Sequence, residues 1–189
     1  MFLYRKLRPI REQQLCAARG EEIYCCAIRS RAENALCSFF FIIGMVWEGG
    51  HMELKSVTDR DKEFVMGLDQ HVDDRGYANR VYTKSGYVIW EGNRRVGVLS
   101  HCILWDKVPF MNFLFVDEEY RRKGLAGQAV LSWENEMKNQ GYQMVLISTQ
   151  ADEGAQHLYR KLGYIDCGGL VFHNTPFDQP LELFFRKVL

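Results

Sequence analysis

The stretch FLFVDEEYRRKGLAGQAVL, residues 113–131, constrains the fold more than any other part of the chain. It begins with apolar residues typical of a buried strand and continues through the consecutive cations Arg121, Arg122 and Lys123. It reaches Gly124 just before a helical spacing of apolar residues begins. The stretch therefore predicts a strand whose end leads through a cation-rich turn into a helix. A chain containing this unit needs a sheet with a helix packed against it.

Regular patterns before this unit begin at Met52. Residues 52–58 alternate like a strand, and Thr58 with Asp61 forms a loose capping box for a helix that runs to His71. The polar segment 72–80 is expected to be a loop. Two strands joined at Gly92 and Asn93 then lead to a buried strand over residues 110–116.

Regular patterns continue after the unit to the end of the chain. Gly141 ends the helix of the opening stretch, and residues 142–149 form a strand. Asp152 is expected to cap a helix that Gly163 stops, and two strands follow. The element order β-α-β-β-β-α-β-α-β-β predicts an α/β fold, a mixed sheet with helices against it.

Composition narrows the class of protein further. The chain has 189 residues and a formal net charge of zero, so nothing indicates a nucleic-acid or membrane partner. Its six cysteines cluster towards the N-terminus and show no disulfide framework or zinc-site spacing. We therefore expect a cytoplasmic protein without a metal site.

Residues 1–51 differ from the rest of the chain. They sustain no hydrophobic period, and their apolar run over residues 35–47 is shorter than the roughly 17–25 residues of a membrane span. The residues Glu48, Gly49 and Gly50 can be encoded by codons that contain a bacterial ribosome-binding sequence, just before Met52. We expect residues 1–51 to be a non-native leader or a poorly structured extension of a bacterial protein, and residues 52–189 to be the domain. A short anchor or a buried helix is the alternative for the apolar run.

The turn between strand and helix has the properties of an anion site. The first N–H groups of a helix have no intrahelical partner, and the helix dipole adds partial positive charge there. Gly124 and Gly127 are expected to let a ligand approach the backbone, and the three cations add field strength. Neither the Walker loop nor the dinucleotide fingerprint is present. The pattern alone also fits an ordinary helix N-terminus with a solvated basic turn.

Two motifs make the segment 52–189 resemble the GNAT superfamily of N-acetyltransferases. The coenzyme A motif [Q/R]-x-x-G-x-[G/A] is matched by RRKGLA, through Arg121, Gly124 and Ala126. The second motif, Asn-x-x-Ala-x-x-(Leu/Phe)-Tyr-x-x-x-Gly-(Phe/Tyr), is matched by DEGAQHLYRKLGY from Ala155 onward. The resemblance implies a mostly antiparallel sheet of about seven strands, and acetyl-CoA as the cosubstrate.

The resemblance also implies the roles of particular residues. Tyr159 takes the position of the general acid that protonates the coenzyme A thiolate after direct attack by an amine. The pantetheine arm is expected along the strand end, where an amide would polarise the thioester carbonyl, and the pyrophosphate at the turn. The expected cosubstrate-binding residues are Leu114, Phe115, Val116, Arg121, Arg122, Lys123, Gly124, Leu125, Ala126, Gly127, Gln128 and Asp152.

Two departures from the family pattern concern the chemistry. Asp152 replaces the asparagine of the second motif, so an amide donor is lost. Phe110, Met111 and Asn112 stand where many members carry a catalytic carboxylate. A primary amine with a pKa of roughly 10.4 must lose a proton, and His101, Asp106, Glu118 or water could accept it.

The acceptor is not specified by the sequence. A primary amine on a small molecule or on a protein is expected, and the acidic segment 69–76 would suit a cationic one. The alternative is a non-catalytic acyl-CoA-binding regulatory module. The two final strands could pair in a homodimer.

Overall fold

The computed structural model of the protein describes residues 52–176 and 178–189. Within these ranges seven strands form one mixed sheet, in the order β1-β2-β3-β4-β5-β7-β6. All neighbouring strands are antiparallel except β4 and β5. The expected fold class is therefore confirmed. The strands are Met52–Ser56 (β1), Gly86–Glu91 (β2), Arg94–Leu104 (β3), Val108–Val116 (β4), Met144–Gln150 (β5), Ile165–Leu170 (β6) and Glu182–Val188 (β7). The expected leader, residues 1–51, lies outside the described residues.

Helices cover both faces of the sheet. They are Lys62–Leu68 (α1), Asp74–Thr83 (α2), Leu125–Asn139 (α3) and Ala155–Lys161 (α4), with 3₁₀ turns at Asp59–Asp61 and Glu118–Tyr120. One apolar cluster joins α3 and α4 to one face of the sheet, which we call the α3 face. A second cluster joins α1 and α2 to the opposite face, which we call the α1 face. Apolar side chains thus project from both faces of the central strands, as the pattern of residues 110–116 predicts.

The prediction for residues 62–80 was wrong in two respects. The first helix ends at Leu68 rather than His71, and α2 occupies residues expected to form a loop. The Asp73 carboxylate accepts a hydrogen bond from the Gly76 N–H (2.7 Å) and caps this helix. Tyr77 is almost fully buried, and its hydroxyl donates to the Thr58 carbonyl (2.6 Å). Tertiary packing of one aromatic ring therefore stabilises a helix in a polar, glycine-containing segment.

The predicted hydrogen bonding at Thr58 is confirmed. The Asp61 carboxylate accepts hydrogen bonds from the Thr58 N–H (3.0 Å) and from the Thr58 hydroxyl (2.7 Å). This arrangement fixes the chain where it leaves β1 and enters the first helical turn.

The only parallel pair of the described sheet opens into a cleft. Its register joins Phe110 to Leu146 and Met111 to Ile147, and the two strands have no further paired residues. On its other side β4 pairs with β3, where Ser100 faces Phe113 and His101 faces Met111, so Asn112 is an extra residue. A bulge of this kind bends its strand and increases the local twist. It turns β4 away from β5 and leaves the edge of residues 112–116 without a strand partner on the β5 side.

Candidate active site

The turn that opens α3 presents unpaired backbone N–H groups. Gly124 precedes the helix with a φ of +75°, and Arg122 also lies in the left-handed region at +62°. The first hydrogen bond of the helix runs from the Gln128 N–H to the Gly124 carbonyl (3.1 Å). The N–H groups of the first turn, residues 125–127, therefore have no intrahelical acceptor and point out of the helix end. Glycine adopts the positive φ at position 124 without steric strain, because it has no Cβ atom.

The three cations of the turn have different partners. Arg121 donates from Nε to the Val116 carbonyl (2.8 Å), and its guanidinium lies over the Phe115 ring (5.0 Å). Lys123 pairs with Glu91 (3.6 Å). Arg122 is exposed, and it makes no ion pair within the described residues. The first two side chains thus fix the turn to the ends of strands, and Arg122 is the cation available to a ligand.

Gly127 has a different environment from the one expected. It is buried, and a Cβ at this position would lie 3.7 Å from Leu158 and 4.0 Å from Leu162. The residue therefore faces α4, not an incoming ligand. Its small size brings the first turn of α3 close to the helix that carries Tyr159.

The cleft between β4 and β5 has a volume of about 320 Å³. Residues 111–115 line it from β4 and residues 148–150 from β5. The predicted residues Leu114 and Phe115 therefore lie in its wall, and Val116 is buried at the end of the same strand. Four titratable residues also line the cleft: His71, Glu153, Tyr159 and Glu182.

Tyr159 lies in α4 and lines this cleft. Its side chain is 5% exposed and packs against the rings of Tyr164 and Phe185, each at 6.0 Å between centroids. Burial raises the pKa of Tyr159 above its usual value, and the negative charges of Glu153 and Glu182 raise it further. The hydroxyl is therefore protonated at neutral pH.

The prediction for Asp152 was wrong with respect to the helix cap. The helix α4 begins at Ala155, Gly154 precedes it, and no side chain caps it. Asp152 is exposed and does not line the cleft. The adjacent Glu153 lines the cleft instead, and its carboxylate accepts a hydrogen bond from the Thr149 hydroxyl at the end of β5.

None of the three side chains considered as proton acceptors lines the cleft. His101 is buried between Tyr87 and Trp133, each at 5.8 Å, and burial lowers its pKa to about 4. Asp106 is exposed in the turn between β3 and β4, and Glu118 pairs with Arg121 (3.3 Å). The cleft contains Glu182 instead, which the motifs do not include. Strand alternation in β7 is the one signal that could have indicated on which face Glu182 lies.

A sequence model of the acetyltransferase (GNAT) family matches residues 54–164. This segment contains the turn, both strands of the cleft and Tyr159. The chain belongs to the GNAT family. No curated protein sequence matches the chain.

Solved structures of GNAT proteins have the same fold. Ard1 from Thermoplasma volcanium is 16% identical, with a TM-score of 0.64 and coverage of 73% of this chain and 97% of that protein. Arabidopsis thaliana Naa50, in complex with the bisubstrate analogue CoA-Ac-MVNAL, is 13% identical, with a TM-score of 0.63 and coverage of 73% and 99%. A GNAT acetyltransferase from Elizabethkingia anophelis with acetyl-CoA bound is 16% identical, with a TM-score of 0.59 and coverage of 73% and 98%. At these identities the similarity establishes the fold.

The described part of this GNAT protein has no helix that is long and apolar enough to cross a membrane.

Proposed function

We propose that the protein transfers the acetyl group of acetyl-CoA to a primary amine. One observation carries the proposal. The open edge of β4 has the α3 turn at one end and the cleft at the other. Arg121 links them directly, because it lies in the turn and its Nε donates to the carbonyl at the end of β4. Pyrophosphate at the turn would direct the pantetheine arm along residues 114–116 and the thioester into the cleft.

In this reaction the amine nitrogen bonds to the thioester carbon, and the carbon–sulfur bond then breaks. An N–H group on the open edge of β4 would stabilise the developing oxyanion. Tyr159 is the proposed general acid, because it lines the cleft, its ring is buried and its hydroxyl is protonated. Its proton would go to the departing thiolate sulfur.

The acceptor is proposed only as an amine. Naa50 has been solved with a bisubstrate analogue that contains a peptide, so a protein N-terminus deserves a place in an acceptor screen. Small amines and amino acids belong in the same screen, and release of free thiol from acetyl-CoA reports turnover for all of them.

The test of cosubstrate binding is the substitution Gly124→Asp, followed by calorimetry with acetyl-CoA. The carboxylate would stand in front of the unpaired N–H groups and repel the pyrophosphate, so we expect binding to be largely lost while the fold survives. Gly124→Asn is the matched control, because asparagine has the same size, carries no charge and tolerates the left-handed region. Unchanged affinity of the Asp variant would remove the coenzyme assignment. Normal acetyl-CoA binding without turnover of any amine would favour the non-catalytic module.

A further inference from the structure

The cleft has two sides, and Glu182 lies on the side opposite Tyr159. In β7, Phe185 packs against the Tyr159 ring in the cluster of the α3 face, and Leu183 belongs to the same cluster. Phe184 points the other way and stacks on Phe110 at 5.7 Å. Because alternate residues of a strand share a face, Glu182 lies with Phe184 on the α1 face.

Glu182 is nevertheless part of the cleft wall. It is the first residue of β7 and pairs with Gln150, the last residue of β5. Its side chain lines the cleft, and its negative charge contributes to the raised pKa of Tyr159. Gln179 donates from Nε2 to Glu182 Oε2 (3.0 Å), which holds the carboxylate in position and leaves its other oxygen available.

The other carboxylate of the cleft lies on the opposite side. Glu153 accepts the hydroxyl hydrogen of Thr149, a buried residue that alternates with Val145 and Ile147 of the α3-face cluster. Glu153 is therefore on the same side as Tyr159 and the helix that opens at the proposed pyrophosphate turn. Glu182 is the carboxylate on the side from which a second substrate can reach the thioester.

We propose that Glu182 accepts the proton of the attacking amine and thereby selects acceptors that present an ammonium group. This inference rests on the proposed function. The ammonium form would bind Glu182 by a charge-assisted hydrogen bond and pass one proton to the carboxylate, which releases it to solvent before attack. As the C–N bond forms, the remaining excess proton passes to the Glu182 carboxylate. As the C–S bond breaks, the Tyr159 proton passes to sulfur. Proton transfer from Glu182 to Tyr159 through the cleft then restores both groups.

The Tyr159 and Glu182 pair explains how an acid and a base can work in the same cleft. At one pH the proposed acid, Tyr159, must carry its proton, and the proposed base, Glu182, must be free to accept one. Burial and the carboxylate charges keep Tyr159 protonated, and Glu182 is half-buried on the α1 side of the cleft. The proposed acid and the proposed base therefore lie on opposite sides of the sheet.

The test is Glu182→Gln, measured with the amine that the wild-type protein acetylates fastest in the screen. Glutamine keeps an oxygen that can accept the Gln179 hydrogen bond, so the melting temperature and acetyl-CoA affinity should change little. We expect kcat/KM for the amine to fall by about 10²–10⁴-fold near neutral pH. The loss should shrink as the pH rises, because free amine becomes abundant without a base.

Amine basicity provides a readout that a merely structural role would not change. Ethylamine is almost fully protonated at neutral pH, and 2,2,2-trifluoroethylamine, of similar shape, is not. Relative to the wild-type protein, the Gln variant should lose much more activity with ethylamine than with its fluorinated analogue. Glu63→Gln, an exposed change on α1, is the control for a Glu-to-Gln substitution outside the cleft. Glu153→Gln is the control for removing a cleft carboxylate on the Tyr159 side.

The outcomes separate this inference from the function on which it rests. A wild-type protein that acetylates amines, with Glu182→Gln within about threefold of it and the same amine preference, would overturn the role of Glu182 alone. An equal loss in Glu153→Gln with the same basicity dependence would also overturn it. A wild-type protein that acetylates no amine would remove the proposed function, and this inference with it.

Discussion

At the scale of the residue, the ring of Tyr159 packs in the core, and its hydroxyl is the proposed proton donor. Its ring packs against Tyr164 and Phe185, so the ring contributes to the core whatever the hydroxyl does. Tyr159 also lines the cleft, where in the proposed reaction its hydroxyl would meet the leaving sulfur. The second sequence motif includes Tyr159, because residues on one face of a helix are only three or four positions apart in sequence. Glu182 was not predictable in the same way, because it reaches the cleft only through the pairing of β7 with β5.

The prediction for Tyr159 is that Tyr159→Phe lowers kcat without weakening acetyl-CoA binding. The substitution keeps the ring contacts and removes only the donor, so the melting temperature should change little. A positioned general acid contributes about 10²–10⁴-fold, and a thiolate leaves moderately well without help, so we expect the lower end. The measurement is the pH–rate profile of both proteins at saturating substrates, with calorimetry for acetyl-CoA as the control. Turnover within about twofold of the wild-type protein, with chemistry rate-limiting in both, would reduce Tyr159 to a packed ring.

At the scale of the element, the sequence predicted every described strand but missed one helix. Period-two alternation and the glycines at turns are local signals, and they placed the strands correctly. The helix α2 depends on Tyr77, whose hydroxyl bonds to Thr58, far away in sequence. The divergence of β4 from β5 also depends on pairing, because only the register against β3 reveals that Asn112 is an extra residue. The walls of the cleft were thus predictable as strands, and its opening was not.

The prediction at this scale concerns the ion pair that joins β7 to α3. Lys187 donates to Glu134 (2.5 Å), and the Glu134 side chain is 8% exposed. Removal of one partner from a buried pair costs about 3–5 kcal/mol, because the other charge is left buried without a partner. We therefore expect Lys187→Met to lower the free energy of unfolding by a few kcal/mol. The partial exposure of Lys187, 20%, favours the lower end.

The control for this prediction is the double variant Lys187→Met with Glu134→Leu, measured by urea denaturation. Replacement of both charges by apolar groups removes the unpaired carboxylate, so the double variant should recover much of the stability lost by the single one. Equal losses in the single and double variants would mean that the packing of the lysine side chain, and not the charge pair, stabilises this contact.

At the scale of the whole molecule, the two faces of the sheet separate the proposed substrates. In the proposed reaction the turn of α3 and Tyr159 would act on the cosubstrate on one face, and Glu182 would act on the amine on the other. The opening between β4 and β5 is the place where the two meet. The same layering buries His101 under α3, between Tyr87 and Trp133. This buried histidine makes the stability of the whole fold depend on pH.

The last prediction is a loss of stability in mild acid that is caused by His101. Burial lowers the pKa of His101 to about 4 in the folded protein, while the ordinary value is 6.5. Between these values the unfolded chain binds a proton that the folded protein does not, so the free energy of unfolding falls as the pH falls from about 6.5 towards 4. At pH 5 we expect a loss of about 2 kcal/mol relative to pH 7, from the value of 1.36 kcal/mol per pKa unit. Urea denaturation across this range should show the slope in the wild-type protein and not in His101→Leu, which cannot bind the proton. His157→Gln is the control, because His157 is exposed on α4 and its removal should leave the slope intact. Parallel pH dependences in the wild-type protein and His101→Leu would assign the acid sensitivity to other groups.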